Sequence, residues 1–154
     1  MNIASTQFSL NFDAFEIYLS GCDGVCSEEC HNKELWDFNL GKDYKEELTR
    51  IVGKIHKFSL LIKSVWVLGG EPLLQDKDKL IDLLKELKKT DKDITLFTRF
   101  ELNDIDKEII ELCDYIKCGC YREDLKTDDN IWYGIKLATS NQKIYKISDL
   151  VGVI

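Results

Sequence analysis

One short apolar run constrains the fold of this chain more than any other feature. Residues 65–68 read Val-Trp-Val-Leu, and Gly69 and Gly70 follow them directly. A continuous run of this length is typical of a strand that is covered on both faces, as the strands of a parallel sheet are. The sequence therefore predicts a central strand in a sheet that is packed against helices.

Segments with helical periodicity lie on both sides of this strand. Apolar residues recur at i, i+3, i+4 and i+7 in two segments, namely Leu48, Ile51, Val52 and Ile55, then Leu80, Leu83, Leu84 and Leu87. Ile105, Ile109 and Leu112, at i, i+4 and i+7, mark a third helix. Further strands are predicted at residues 15–19, 94–97, 115–117 and 144–147, and the alternation of Phe8, Leu10 and Phe12 predicts an N-terminal one. The pattern predicts an α/β fold with a mostly parallel sheet. Four or five such units are too few to close an eight-stranded barrel, so we expect a partial (β/α) barrel in a single domain over residues 1–154.

Composition excludes several classes of function. The chain has 154 residues and a formal net charge of −7, which argues against a basic surface for nucleic acid. No run of 18 apolar residues indicates a membrane span. The first residues show no charged region followed by an apolar one, so we expect no secretion signal and a cytoplasmic location.

Three cysteines follow the predicted strand at residues 15–19, in the pattern Cys22-x3-Cys26-x3-Cys30. The nearby Gly21 and Gly24 disfavour a helix that would bury all three thiols on one face. Two metal sites remain open: zinc, with His31 as a fourth ligand, or an iron–sulfur cluster whose fourth iron stays free for another ligand. A site with an open coordination position can carry out chemistry.

A second group of cysteines comprises Cys113, Cys118 and Cys120. Disulfides are not expected in a reducing cytosol. Cys113 is predicted to pack as a small apolar residue at a helix end. Cys118 and Cys120 are two apart on a predicted strand, so they are expected to face the same way. A structural role is favoured for them, with a second cluster or a resolving thiol as alternatives.

A polar turn ends the central strand, with the sequence Gly69-Gly70-Glu71-Pro72. Ligands of α/β folds bind at such strand ends, and glycines allow a ligand to approach the backbone closely. Glu71 places a carboxylate at this edge, and Pro72 suits the first turn of a following helix. Taken alone, the segment is equally compatible with a simple turn carrying a solvated glutamate.

The two motifs together resemble the radical S-adenosylmethionine (SAM) enzymes, and more closely the activating proteins of anaerobic ribonucleotide reductases. The segments that carry the resemblance are residues 20–22, 30–32, 36–38, 67–73, 115–125 and 139–145. The chain departs from that family in two places. Its second cysteine gap holds three residues instead of two, and residues 10–13 replace a Gly-Pro-Gly type segment.

The resemblance implies a 4Fe-4S cluster bound by Cys22, Cys26 and Cys30, with SAM on the remaining iron. It also implies a set of cofactor-binding residues at the strand edge and around the last cysteine: Glu29, His31, Gly69, Gly70, Glu71 and Thr98. His31 is placed near the adenine, Glu29 flanks the last cysteine, and Thr98 is a candidate for a polar contact to the cofactor.

The activity implied by the resemblance is formation of a 5′-deoxyadenosyl radical that installs a glycyl radical on a large partner, the catalytic subunit of anaerobic ribonucleoside-triphosphate reductase. A one-electron donor such as a flavodoxin would reduce the cluster. Two alternatives stay open. One is a compact radical SAM enzyme that acts on a small molecule, in the manner of a deazaguanine synthase; the other is a degenerate, non-catalytic metal-binding subunit.

Overall fold

A computed structural model describes residues 1–150 and residue 152 of the chain. Its strands are β1 (Asn2–Ser9), β2 (Ala14–Leu19), β3 (Lys42–Asp43), β4 (Ser64–Gly69), β5 (Asp93–Phe97), β6 (Tyr115–Cys118), β7 (Ile131–Trp132), β8 (Ile135–Lys136) and β9 (Lys143–Lys146). Its α-helices are α1 (Tyr44–Lys57), α2 (Lys77–Lys88) and α3 (Lys107–Glu111). Short 3-10 turns join several of these elements.

Seven of the strands form one mixed sheet in the order β3-β1-β2-β4-β5-β6-β9. The four central strands are parallel, so Ile17 of β2 is paired with Val67 of β4, and Val67 with Leu96 of β5. The outer strands β1, β3 and β9 run antiparallel to their neighbours. Helices connect the parallel strands, which is the arrangement that parallel pairing requires.

Each α-helix begins directly after an aspartate whose side chain caps it. Asp43 accepts a hydrogen bond from the Lys45 amide, Asp76 from the Lys79 amide, and Asp106 from the Glu108 amide. Such caps satisfy amides that have no partner within the helix. The local sequence therefore fixes where each crossover helix begins.

The helices and one face of the sheet enclose the hydrophobic core. On each central strand, alternate residues point toward the helices, as expected from the two-residue period of strands. Ile17, Val67 and Leu96 from the sheet and Ile51 and Leu84 from the helices are completely buried there.

The opposite face of the sheet carries aromatic and polar side chains. The ring of Trp66 lies 5.1 Å from that of Phe12 and 4.9 Å from that of Phe97. Glu16 is buried on this face, and its carboxylate accepts hydrogen bonds from Gln7 and Tyr18. Burial of the Tyr18 hydroxyl, next to the Glu16 carboxylate, raises its pKa to about 12. A mostly parallel sheet whose strands are connected by helices is consistent with a partial barrel.

The structure confirms the predicted α/β class and the mostly parallel centre of the sheet, and it corrects the position of the N-terminal strand. The N-terminal strand ends at Ser9, and Leu10 lies in a turn with 81% of its surface exposed. The third helix has only five residues, and the last strand, β9, is antiparallel. Among the described residues, no helix has the length and apolarity needed to cross a bilayer. The single domain over residues 1–154 stays a prediction, since residues 151, 153 and 154 lie outside the described part.

Candidate metal and cofactor site

A cavity of about 210 Å³ lies where the central parallel strands end. The loop that follows β2 forms one wall with all three cysteines of the motif, Cys22, Cys26 and Cys30. The strand edge forms another wall, with Gly69, Gly70, Glu71 and Thr98. The fold thus brings the two sequence motifs to one place, because the C-terminal ends of parallel strands share one edge of the sheet.

The two glycines of the edge are required by the approach of another part of the chain. Gly69 has φ +120°, and a Cβ atom there would lie 2.4 Å from the Leu19 carbonyl oxygen. A Cβ on Gly70 would lie 2.4 Å from the carbonyl oxygen of Gly21. Close contact with the start of the cysteine loop therefore explains both glycines without reference to a ligand.

The buried Glu71 side chain holds the strand edge together through hydrogen bonds. It is 2% exposed, and one carboxylate oxygen accepts hydrogen bonds from the Leu73 amide (2.9 Å) and the Thr98 hydroxyl (2.7 Å). The other oxygen accepts one from the Arg99 amide (2.9 Å). Burial raises the pKa of Glu71 despite these donors. The Glu71 and Thr98 side chains are thus bonded to each other, and their predicted cofactor contacts stay predictions.

Hydrogen bonds at Cys22 and Cys30 and packing against Trp36 help to hold the cysteine loop. The Cys22 amide donates to the Trp36 carbonyl oxygen at 3.2 Å, and the Trp36 ring packs against Gly24 so closely that a Cβ there would lie 2.9 Å away. Cys30 accepts a hydrogen bond on its sulfur from the Asn32 amide at 3.4 Å. Burial raises the pKa of the Cys22 thiol. Trp36, which also lines the cavity, therefore supports the loop.

Cys26 forms a disulfide with Cys120, whose Cα atom lies 5.6 Å away. The expectation that the chain contains no disulfide is therefore wrong for this pair, while Cys22, Cys30, Cys113 and Cys118 are free. Cys118 and Cys120 do not face the same way, because Gly119, with φ +101°, turns the chain between them. As a result Cys118 is buried in the core and Cys120 reaches the cysteine loop.

Two predicted cofactor-binding residues beside the last cysteine lie outside the cavity lining. Glu29 and His31 are exposed, whereas their neighbours Cys30 and Asn32 line the cavity. The ring of His31 lies 5.3 Å from that of Tyr121. Contact of Glu29 or His31 with a cofactor stays a prediction.

Two basic residues that line the cavity were not predicted from the sequence. Arg99 follows β5 and forms an ion pair with Asp23 of the cysteine loop, with Nη2 2.9 Å from Oδ2. Lys117 lines the cavity from β6, and its Nζ donates to the Gly119 carbonyl oxygen at 2.8 Å. Burial lowers the pKa of Lys117 to about 8. No local pattern marks either residue, since both depend on where β5 and β6 end.

Comparison with known proteins agrees with this geometry. A family profile described as "4Fe-4S single cluster domain" matches residues 14–145, which include both walls of the cavity. The chain belongs to this family. It is a radical SAM-type 4Fe-4S domain, which implies an enzyme.

Several reductase-activating proteins are similar to this chain over most of their length. The anaerobic ribonucleoside-triphosphate reductase-activating protein of Salmonella typhimurium is 26% identical over 138 residues, which cover 85% of this chain and 86% of that protein. Its counterpart in Escherichia coli K12 is 25% identical over the same shares. The Haemophilus influenzae protein is 23% identical over 84% of this chain and 85% of its own.

The donor set of this 4Fe-4S domain fits a cluster on one condition. Three cysteines at one cavity wall are the number that holds a cluster and leaves one iron open. In the described part of the chain, no three His, Cys, Asp or Glu side chains are already grouped as metal ligands. Because ligands must be thiolates, Cys26 has to be released from its disulfide before it can bind iron.

Proposed function

We propose that this protein is a radical SAM activase that installs a glycyl radical on an anaerobic ribonucleoside-triphosphate reductase. One observation carries the proposal: the cysteine motif and the Gly-Gly-Glu edge line one cavity. The similarity to reductase-activating proteins, over about 85% of the chain, supports the choice of target.

In this proposal Cys22, Cys26 and Cys30 bind three irons of a 4Fe-4S cluster. The edge at Gly69, Gly70 and Glu71 receives the methionine end of SAM. When bound, the reduced cluster and SAM supply one-electron cleavage of the sulfonium and the abstraction of a hydrogen atom from the substrate. The chemistry needs no general base from the protein.

The residues of this chain bind and orient the cofactors and hold the site in position. Glu71 and Thr98 hold the turn after β4 in one conformation through buried hydrogen bonds, so the edge is formed before any cofactor arrives. Arg99 ties the cysteine loop to the end of β5 through Asp23. Lys117 adds a cationic group to the cavity wall, which suits the carboxylate of SAM.

A protein substrate agrees with the exposure of the cysteine loop. Glu28, Glu29 and His31, beside cysteines that line the cavity, are exposed. A loop of the reductase could cover this side of the cavity and exclude water. A flavodoxin-type protein would supply the electron.

Anaerobic reconstitution tests the proposal in two steps. With iron, sulfide and a dithiol, the protein should bind about four irons per chain and, with dithionite and SAM, release 5′-deoxyadenosine. Addition of the reductase catalytic subunit should then give the electron paramagnetic resonance signal of a glycyl radical. The Cys22→Ser variant should give neither product.

Each negative outcome identifies an alternative. A reconstituted protein that cleaves SAM but leaves the reductase without a radical would contradict the activase assignment and favour a small-molecule substrate. A colourless protein that binds zinc and never iron would support the non-catalytic metal-binding subunit.

A further inference from the structure

The Cys26–Cys120 pair joins two distant parts of the chain at the cavity. The residues are 94 positions apart, and their Cα distance of 5.6 Å lies in the usual range for a disulfide. Only one member of the pair belongs to the Cys22-x3-Cys26-x3-Cys30 motif. Cys120 is thus an additional thiol that reaches the middle cysteine of the motif.

Hydrogen bonds to the neighbouring loop fix the position of Cys120. The Asn141 side chain donates to the Cys120 carbonyl oxygen at 2.8 Å, and the Gln142 side chain donates to that of Gly119 at 3.3 Å. A Cβ on Gly119 would lie 3.1 Å from the Gln142 Cα atom, so the turn is closely packed. These contacts therefore hold Cys120 in place, and the cysteine loop brings Cys26 to it.

We propose that Cys120 is the redox partner of Cys26, and that their disulfide closes the metal site of the cluster-free protein until a dithiol reductant opens it. The inference rests on the proposed function, which assigns Cys26 to the cluster. The disulfide removes one of three ligands, so Cys22 and Cys30 alone cannot complete the set.

The redox step balances in both directions. On opening, a dithiol thiolate attacks the disulfide and forms a mixed disulfide with one cysteine, and its second thiol then displaces that cysteine. The dithiol loses two electrons and becomes a disulfide, and Cys26 and Cys120 each gain one electron and one proton. On closing, dioxygen takes up the two electrons and two protons and becomes hydrogen peroxide.

This pairing protects a ligand that oxygen would otherwise damage. A thiol left free after loss of a cluster can be oxidised to sulfinic acid, which thiols do not reverse. A disulfide with a nearby cysteine stops the oxidation at a stage that a dithiol can repair. Cys120 reaches Cys26, which lines the cavity, and can do this, whereas Cys113 and Cys118 are buried in the core.

Peptide mapping tests the pairing without reference to activity. The cluster-free protein is reduced, desalted, exposed to air and digested after alkylation. We expect the Cys26–Cys120 cross-link to predominate in the wild type and in the control variant Cys118→Ala, and Cys26 to lose this partner in Cys120→Ser. Cross-links mainly from Cys26 to Cys22 or Cys30, or an alkylated Cys26 in the wild type, would overturn the inference.

Binding of Co²⁺ tests whether the disulfide closes the site. Loss of an outer-shell partner of a metal ligand already weakens metal binding 10–100-fold. Loss of a ligand should have at least this effect, so we expect the air-oxidised wild type to bind Co²⁺ roughly tenfold or more weakly than the reduced protein. The thiolate-to-cobalt absorption measures this binding. Dithiothreitol should restore binding. Equal Co²⁺ affinity of the oxidised and reduced proteins would overturn the inference.

The two proposals fail in different ways. If the reduced protein binds a cluster but does not cleave SAM, the proposed function fails while the thiol pair is retained. If the oxidised wild type, with its disulfide mapped, takes up metal as readily as Cys120→Ser, the disulfide does not control the site and the activase proposal is unaffected.

Discussion

The two walls of the cavity are built in opposite ways. At the Gly-Gly-Glu edge, Glu71 and Thr98 are 2% and 3% exposed, and the three donors to the Glu71 carboxylate come from inside the fold. In the cysteine loop, between the anchors at Cys22 and Cys30, the residues are half-buried or exposed and belong to no helix or strand. The edge is thus part of the folded core, and the loop is attached to it.

This difference indicates which wall depends on the cofactor. A buried polar network is stable only when its groups are bonded to one another, and the edge meets this condition without a ligand. The loop is held by a few backbone hydrogen bonds, the Arg99–Asp23 ion pair and the Cys26–Cys120 disulfide. We therefore expect changes in the loop to affect metal binding and changes at the edge to affect stability.

Removal of a loop thiol should have the largest effect. Cys22→Ser should lose its bound iron, and 5′-deoxyadenosine formation should fall below about 1% of wild type, because two thiolates do not hold the cluster. The free energy of unfolding of the cluster-free protein should change by no more than about 0.5 kcal/mol, since the Cys22 side chain is partly exposed. Iron analysis and urea unfolding provide the two measurements.

The buried Cys113 is the matched control for this variant. Cys113→Ser places a hydroxyl in the core, where the residue is 3% exposed, and should cost about 1–3 kcal/mol. Its iron content should stay at the wild-type level. If both variants lost iron to the same extent, the separation between loop and core would be wrong.

At the edge, Glu71→Gln should lower stability. The substitution keeps the size of the side chain but replaces one carboxylate oxygen by an NH2 group. An NH2 group cannot accept a hydrogen bond such as that of the Arg99 amide. One buried donor then lacks a partner, which costs about 1–3 kcal/mol. Urea unfolding of the cluster-free protein measures the loss, and the exposed Glu46→Gln should stay within about 0.5 kcal/mol of wild type. A fully stable Glu71→Gln would show that the network does not hold the edge.

Sequence periodicity predicted most of the fold because the central strands and α1 and α2 have strong local patterns. Leu80, Leu83, Leu84 and Leu87 are all buried, as their helical spacing predicted. The N-terminal strand was placed too late, because the alternation of Phe8, Leu10 and Phe12 continues into a turn. Periodicity alone does not show where a strand gives way to a turn.

The site was predictable only as far as its residues are close in sequence. The three cysteines and the Gly-Gly-Glu turn are compact motifs, and the structure brings them to one cavity. Arg99 and Asp23 are 76 positions apart, and Cys26 and Cys120 are 94 apart. Such contacts depend on strand order, which a single sequence does not display.

Substitution of Lys117 should give a pH-dependent gain in stability. Burial lowers its pKa from 10.5 to about 8, so the folded state binds fewer protons than the unfolded state between these values. The cost of the buried charge is complete below pH 8 and decreases as pH rises toward 10.5. Lys117→Met should therefore be more stable than wild type at pH 7, and this advantage should shrink by more than half at pH 9.5.

Urea unfolding gives the free energy of unfolding of wild type and variant at each of these two pH values. The difference between the two proteins removes the contribution of the other titrating groups. An advantage that is equal at both pH values would show that the effect comes from packing and not from charge. SAM affinity of the reconstituted variant, measured at pH 7, should be lower if the cation also serves the cofactor carboxylate.

The smallest effect is expected from the ion pair that links the two walls. Asp23→Asn removes the charge that Arg99 contacts, while the Asn oxygen can still accept the hydrogen bond of the Val25 amide. Because surface ion pairs contribute little, amide exchange in residues 22–30 should speed up only roughly two- to fivefold. Exchange of the Arg99 amide, which is bonded to Glu71 inside the edge, should not change. A similar increase at both places would mean that the edge depends on the loop, and that the two walls form one unit.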